Sequence, residues 1–350
     1  MQNIDNAFSH KITVFSLFLA VSIVCYHLNP TFDFQTITND GRLTDVVSNY
    51  LNELLTSFGG LAISFFFMSS AFLLYRNYRL NSYYEKLKRR VLSLFVPLLL
   101  WNILCFIYKL RFDDGFGEIV KNILLSNYCG PLWFVVQLLT MFLISPVFWW
   151  MFKNKRVGIL VLASSFFLPP LFDAHIVGLL SDKESQILVL CRTVHYLPLY
   201  FTGLYLAMHE DAFIQSERYR KKGLLMVSGL VLLATLMPFE HPVLEFLRQF
   251  QILALWVIVP NKGFLKKPGW GFQISFFIYA SHSMVIGVVM RLLHKFVLDE
   301  TVAVSITTAF VSRLLFTLIS LFFIYLAAWV LIRWFPRIYG ILTGGRVPTF

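Results

Sequence analysis

The sequence predicts an all-α, polytopic membrane protein with about ten transmembrane helices and both termini in the cytoplasm. Three observations predict it. Only 14% of the 350 residues are charged, against roughly 25% in an ordinary soluble domain, and 57% are apolar or aromatic. Apolar runs near the ~20 residues that cross a bilayer recur along the whole chain. Basic and acidic loops alternate between those runs, as the positive-inside rule demands. A soluble enzyme, a disordered chain and a disulfide scaffold are excluded, because a water-soluble fold needs more polar surface than this chain offers.

The expected spans are 11–28, 58–75, 91–110, 132–152, 157–172, 187–208, 223–238, 243–259, 272–293 and 303–332. No small-residue cleavage site follows the first, so it reads as a retained helix and not a signal peptide. Asp33, Asp40, Asp45 and Glu53 mark the loop after span one as outer. Arg76, Arg79, Lys86, Lys88, Arg89 and Arg90 mark the next as inner. The third loop is mixed (Asp113, Asp114, Glu118, Lys121), and the alternation goes on through Lys153, Lys155 and Arg156 (inner), Asp173, Asp182 and Glu184 (outer), and Arg218 to Lys222 (inner). It continues with Glu240 (outer), Lys262, Lys266 and Lys267 (inner), Asp299 and Glu300 (outer), and the basic tail (inner). The longest outer loop, near 29–57, is too small for a core of its own. A single membrane domain over 1–350 is therefore expected. The net charge of +11 is largely this topology code, so the lipid bilayer is a partner and nucleic acid is not. A homo-oligomer is left open.

Ionisable residues inside the bilayer cost roughly 2.5–3.5 kcal/mol each on insertion scales and need a reason. His27 closes span one. Counted from Lys11 at ~1.5 Å per residue, it lies about 24 Å along a ~30 Å core, in the outer half. Imidazole can take and return a proton near neutral pH; the plainer alternative is an interfacial His bonded to a neighbouring carbonyl. Arg192 and His195 share a helix face, Arg313 lies deepest in span ten, and His282 sits mid-bilayer in span nine. These four are candidates to meet an anionic or sugar substrate or a developing oxyanion, with interhelical hydrogen bonds and ion pairs as the competing role. Arg291 is close enough to the surface to snorkel, and Arg248 has Glu245 one turn away as an ion-pair partner. No His/Cys/Asp/Glu cluster suggests a metal, and the four cysteines form no CxxC pair, so they read as small packing residues. Residues 76–90 form a dense basic segment. It suits either anionic lipid or a phosphate-rich nucleotide cosubstrate.

Four separated stretches together resemble the acyltransferase-3 family of integral membrane acyltransferases. The first is Val24-Cys25-Tyr26-His27, similar to the family's first span with its terminal His. The second is Phe65-Phe66-Phe67-Met68-Ser69-Ser70-Ala71-Phe72-Leu73-Leu74, followed by Lys88-Arg89-Arg90 and Pro97-Leu98-Leu99-Leu100-Trp101-Asn102. The third is Pro131-Leu132-Trp133-Phe134, and the fourth runs from Ser275-Phe276-Phe277-Ile278-Tyr279 to His282.

The resemblance implies acyl transfer, usually of acetyl, from cytoplasmic acyl-CoA to a hydroxyl at the outer face, commonly of a sugar or glycolipid. It implies no bound cofactor, with acyl-CoA as cosubstrate, and a bacterial inner (cytoplasmic) membrane as the location. His27 matches the family's catalytic His, the expected general base. Arg90 matches the first Arg of an RxxR motif associated with the donor, so Arg76, Arg79, Lys88, Arg89 and Arg90 become the acyl-CoA candidates. Three positions depart from the pattern: Ser93 replaces the second Arg, Ser16 an Arg eleven residues before the catalytic His, and Ala71 a Gly. Lys88 and Arg89 are the candidates to replace the lost arginines, with weaker geometry for the Lys. Two alternatives stand beside acyl transfer. A glycan or lipid transporter would tolerate His27→Ala, though matched Gly/Pro-broken helices are missing. A degenerate family member would not bind acyl-CoA.

Overall fold

The apolar runs fold as helices. The computed structural model describes residues 2–28, 37–39, 41–76, 78–110, 114–169, 185–209, 221–236, 247, 249–264, 266–296 and 303–348. In chain order the helices are α1 (Gln2–His27), α2 (Leu43–Tyr75), α3 (Tyr83–Arg90), α4 (Val96–Lys109), α5 (Phe116–Leu124), α6 (Trp133–Leu143) and α7 (Ser145–Phe152). They continue with α8 (Lys155–Ser165), α9 (Ser185–His209), α10 (Lys222–Leu236), α11 (Gln251–Ile258), α12 (Ser275–Phe296), α13 (Ile306–Trp334) and α14 (Pro336–Leu342).

Among the described residues, five helical stretches are long and apolar enough to cross a bilayer: Asn6–His27, Leu43–Tyr75, Leu80–Lys109, Ser275–Lys295 and Ile306–Trp334. Gly130–Leu143 and Ser145–Phe152 make a sixth if the two pieces, bent by 61°, count as one. The bend falls at Pro146, which has no N–H to offer the Phe142 carbonyl. These six coincide with the expected spans one to four, nine and ten. The other four expected runs fall on α8, α9, α10 and α11, with 11, 25, 15 and 8 residues. Among the described residues, length and apolarity thus support five crossings, or six with the bent pair.

One expectation is corrected. The loop foreseen near 29–57 is helical from Leu43 onward. Its polar residues hid the helix from a hydropathy reading, yet they are used within the fold. Asn49 donates to Glu53 at 3.1 Å, and Thr307 donates to the buried Asp45 carboxylate at 2.6 Å.

Two compact units divide the chain, Met1–Ala62 with Arg220–Phe350, and Ile63–Tyr219. In the first, α1 packs against α12 and α13. The buried stripe of α13 carries Ala309, Arg313, Phe316, Thr317, Ser320, Ile324, Ala328 and Ile332, spaced at helical intervals. Its other face exposes Val311, Leu315, Leu318, Phe322 and Leu326, a continuous apolar surface suited to lipid. Ser305 caps α13 by accepting from the Thr308 amide at 3.2 Å. Just before it, the two-residue strand β2 (Val304–Ser305) pairs in parallel with β1 (Ile37–Thr38).

The second unit is built on aromatic contacts. Phe67 lies edge-on to Phe134, centroids 4.7 Å apart, and stacks on Tyr196 at 4.6 Å. Between α3 and α4, residues Val91–Phe95 form a π-helical turn in which the Val96 amide reaches the Val91 carbonyl. Pro97 explains it. With no N–H for the Ser93 carbonyl, the α-helical ladder cannot run unbroken through this point. Fully buried Asn102 then anchors the following loop: it donates to Ser126 Oγ at 3.1 Å and accepts from the Cys129 amide at 3.0 Å.

Candidate active site

The last turn of any helix leaves carbonyls without intrahelical donors, and a cation there is favoured. At the end of α1 that cation comes from another helix. Arg313, 1% exposed on α13, donates from Nε to the Cys25 carbonyl at 2.8 Å. Its Nη1 donates to the Asn52 carbonyl at 3.0 Å, to Asn52 Oδ1, and to Thr56 Oγ1 at 3.2 Å. One guanidinium thus joins α1, α2 and α13 two residues before His27. The neighbouring Tyr26 presses onto Gly59 of α2 so closely that a Cβ there would lie 2.5 Å from the Tyr26 Cβ.

His27, the residue that closes α1, is exposed. It faces His282 of α12, their centroids 5.0 Å apart and their planes inclined by 37°. His282 is fully buried. Its Nδ1 bonds the Tyr279 carbonyl at 2.6 Å, and because a carbonyl only accepts, the nitrogen is the donor. His282 Nε2 has no hydrogen-bond partner among the described residues. The first unit therefore brings together three residues that the sequence had scattered over 287 positions: His27, His282 and Arg313. Ser16, half-buried on α1, stands apart from them by three turns of the same helix.

The basic segment lies in the second unit. A pocket of about 240 Å³ is lined by Leu73, Leu74, Lys86, Arg89, Arg90 and Ser93. Leu74 and Arg90 also line a recess of about 10 Å³, room for about one water molecule, with Ser70, Leu94, Leu138, Phe142 and Tyr200. Lys86 donates to the Leu74 carbonyl at 3.2 Å and lies over the Tyr78 ring. Tyr78 meets Ser145 Oγ at 3.3 Å, and burial pushes its phenol above the ordinary value, which keeps it a neutral partner.

Of the five sequence candidates, Arg89 and Arg90 line this pocket, while Arg76, Arg79 and Lys88 do not. Lys86 and Ser93 do, although Lys86 is not among the donor candidates that the sequence suggests. The signal is present in the spacing: positions 86, 89, 90 and 93 share one helix face. His195 is half-buried on α9, in the same unit as the pocket. The side chain of Arg192, and Arg248 altogether, lie outside the described residues. Arg291 is exposed on α12. Among the described residues no three His, Cys, Asp or Glu side chains are grouped to hold a metal ion.

Comparison with known proteins places these sites within one domain type. The family model described as "Acyltransferase domain", of the acyltransferase-3 type, matches residues 12–338, nearly the whole chain. No curated protein and no solved structure matches.

Proposed function

Since the chain belongs to the acyltransferase-3 family and is a membrane acyltransferase, we propose that it moves an acyl group, acetyl in the simplest case, from acyl-CoA to a hydroxyl of a sugar or glycolipid. The donor comes from the cytoplasm and the acceptor is met at the outer face of a bacterial inner membrane. His27 is the general base. It removes the acceptor's hydroxyl proton as the oxygen attacks the thioester carbonyl, the C–S bond breaks, and the proton passes from His27 to the departing thiolate. An ester and free CoA are the products, with no net proton change.

The observation that carries this reading is an exposed histidine at the end of a helix whose final turn is clamped by a buried arginine. A general base must be open to substrate yet fixed in orientation. For the donor, Lys86, Arg89 and Arg90 offer three cations around one pocket, suited to the phosphates of CoA.

Purified protein in lipid vesicles, given labelled acetyl-CoA and a membrane glycan fraction, should transfer label to glycan. His27→Ala protein of equal thermal midpoint should transfer none. Undiminished transfer by that variant would overturn the reading.

A further inference from the structure

We propose that His282 is a positioning residue for His27, accepting the N–H of one His27 ring nitrogen on its own Nε2 and so fixing which nitrogen faces the acceptor. This rests on the reading of His27 as general base. The chemistry of His282 is settled by its surroundings. Its Nδ1–H is committed to the Tyr279 carbonyl, which leaves a lone pair on Nε2 of the neutral ring. That lone pair is buried, meets no donor among the described residues, and so carries the cost of an unsatisfied acceptor.

Beside it, at a centroid distance of 5.0 Å, is the His27 ring. His27 is exposed and His282 is not, so the two rings have different freedoms. Turning the His27 ring about its Cβ–Cγ bond brings one of its nitrogens toward His282 Nε2 and the hydrogen-bond range of about 2.7–3.2 Å. The other nitrogen then carries the lone pair that the acceptor hydroxyl requires. When His27 takes the proton, its second N–H is already held by an acceptor, and the imidazolium stays in place until the thiolate recovers the proton.

A base oriented by a third group is a recurring device of nucleophilic catalysis. A carboxylate would do this with a buried charge, which is costly in a membrane interior. A neutral imidazole supplies the acceptor without one. The arrangement also explains why His282 is itself tied to Tyr279: without that bond its proton could move to Nε2, and the ring would present a donor where an acceptor is needed.

The experiment compares full-length wild type, His282→Phe, His282→Gln and His27→Ala in vesicles, at equal amounts of folded protein, measuring kcat and the KM for acetyl-CoA. His282→Phe should lower kcat on the order of 100-fold with KM unchanged, and His282→Gln, whose amide oxygen restores an acceptor, should recover a large part of the loss. A purely structural His282 would lower the thermal midpoint in both variants without this kcat rescue, and that result overturns the proposal. So does wild-type kcat in His282→Phe while His27→Ala is inactive. Activity retained in His27→Ala instead overturns the general-base reading, and this inference with it. If the Phe variant does not insert, His282→Met takes its place with the same expectations.

Discussion

Arg313 Nε donates to the Cys25 carbonyl at 2.8 Å, from a side chain that the sequence alone left open between a substrate contact and an interhelical bond. Its charge is used to finish α1. Arg313→Leu should leave the acceptors at Cys25, Asn52 and Thr56 without their donor, at a cost of about 1.5–3 kcal/mol. The thermal midpoint of purified protein should fall. Transfer should fall further than stability does, because His27 is two residues from the lost contact and a small misplacement of a base costs on the order of 100-fold. Arg313→Lys should rescue little, since an ammonium cannot reproduce the planar fork that reaches three residues. Full activity in Arg313→Lys would show that the clamp does not position His27.

Lys11, in the first half of α1, makes a corresponding arrangement at the end of α11. It is fully buried, donates to the carbonyls of Trp256 and Val259 at the end of α11, and lies 4.1 Å from the Trp256 ring centroid. Lys11→Met should lower the thermal midpoint by the equivalent of about 1.5–3 kcal/mol. Specific activity per folded molecule should be unchanged, because nothing at the His27 end is altered. Thermal unfolding and transfer assays on one preparation check both halves.

These two residues show what the sequence could and could not convey. Apolar runs announced most helices, since hydrophobic length needs no partner to be read. Charges in those runs announced only that partners exist. Lys11 looked like an inner-face marker, and Arg313 stood open between a substrate ligand and an interhelical partner, because a carbonyl at the end of another helix leaves no trace in composition. The helical start of α2 was hidden for the same reason: Asp45, Asn52 and Glu53 read as loop until their partners on α13 and one turn along α2 are seen. His27 was legible from its place at the end of a span. The approach of His282, 255 residues away, was not.

Glycines supply a test that pairs two opposite outcomes. A Cβ on Gly203 of α9 would run into the Met68 backbone carbonyl of α2, which cannot step aside. Gly203→Ala should therefore destabilise the second unit by about 1–3 kcal/mol. Gly229, inside α10, has open space around it, with nothing within 4 Å of where an alanine methyl would sit. Gly229→Ala should stabilise by about 0.4–1 kcal/mol, through loss of unfolded-chain freedom. Opposite shifts in thermal midpoint are expected, and shifts of the same sign would contradict the close approach at Gly203.

Asn102 tests the loop that leads into α6. It is fully buried and holds both Ser126 and the Cys129 amide, while Ser126 in turn donates to the Cys129 carbonyl at 2.8 Å. Asn102→Leu removes both ends of this network at once and leaves a buried amide and hydroxyl short of a partner, at about 1–3 kcal/mol. Asn102→Asp keeps an acceptor for the Cys129 amide but loses the donor to Ser126, and adds a buried charge. Limited proteolysis should cut near residues 114–129 faster in both variants than in wild type, with no change at α12 or α13.

The donor pocket gives the sharpest chemical test, because its cations and its departure from the family pattern lie on one helix face. Arg89 and Arg90 line it with Lys86 and Ser93, so a phosphate seated there meets two guanidinium groups and one ammonium. Arg90→Ala should raise the KM for acetyl-CoA about tenfold, the equivalent of about 1.4 kcal/mol, with kcat little changed. Wild type should bind CoA more tightly than dephospho-CoA, and the variant should lose much of that preference. Ser93→Arg adds a guanidinium to the same face and should lower the KM if the phosphates lie in this pocket. An unchanged KM in Arg89→Ala, Arg90→Ala and Ser93→Arg alike would place the donor elsewhere and return residues 76–90 to a role in topology and lipid contact.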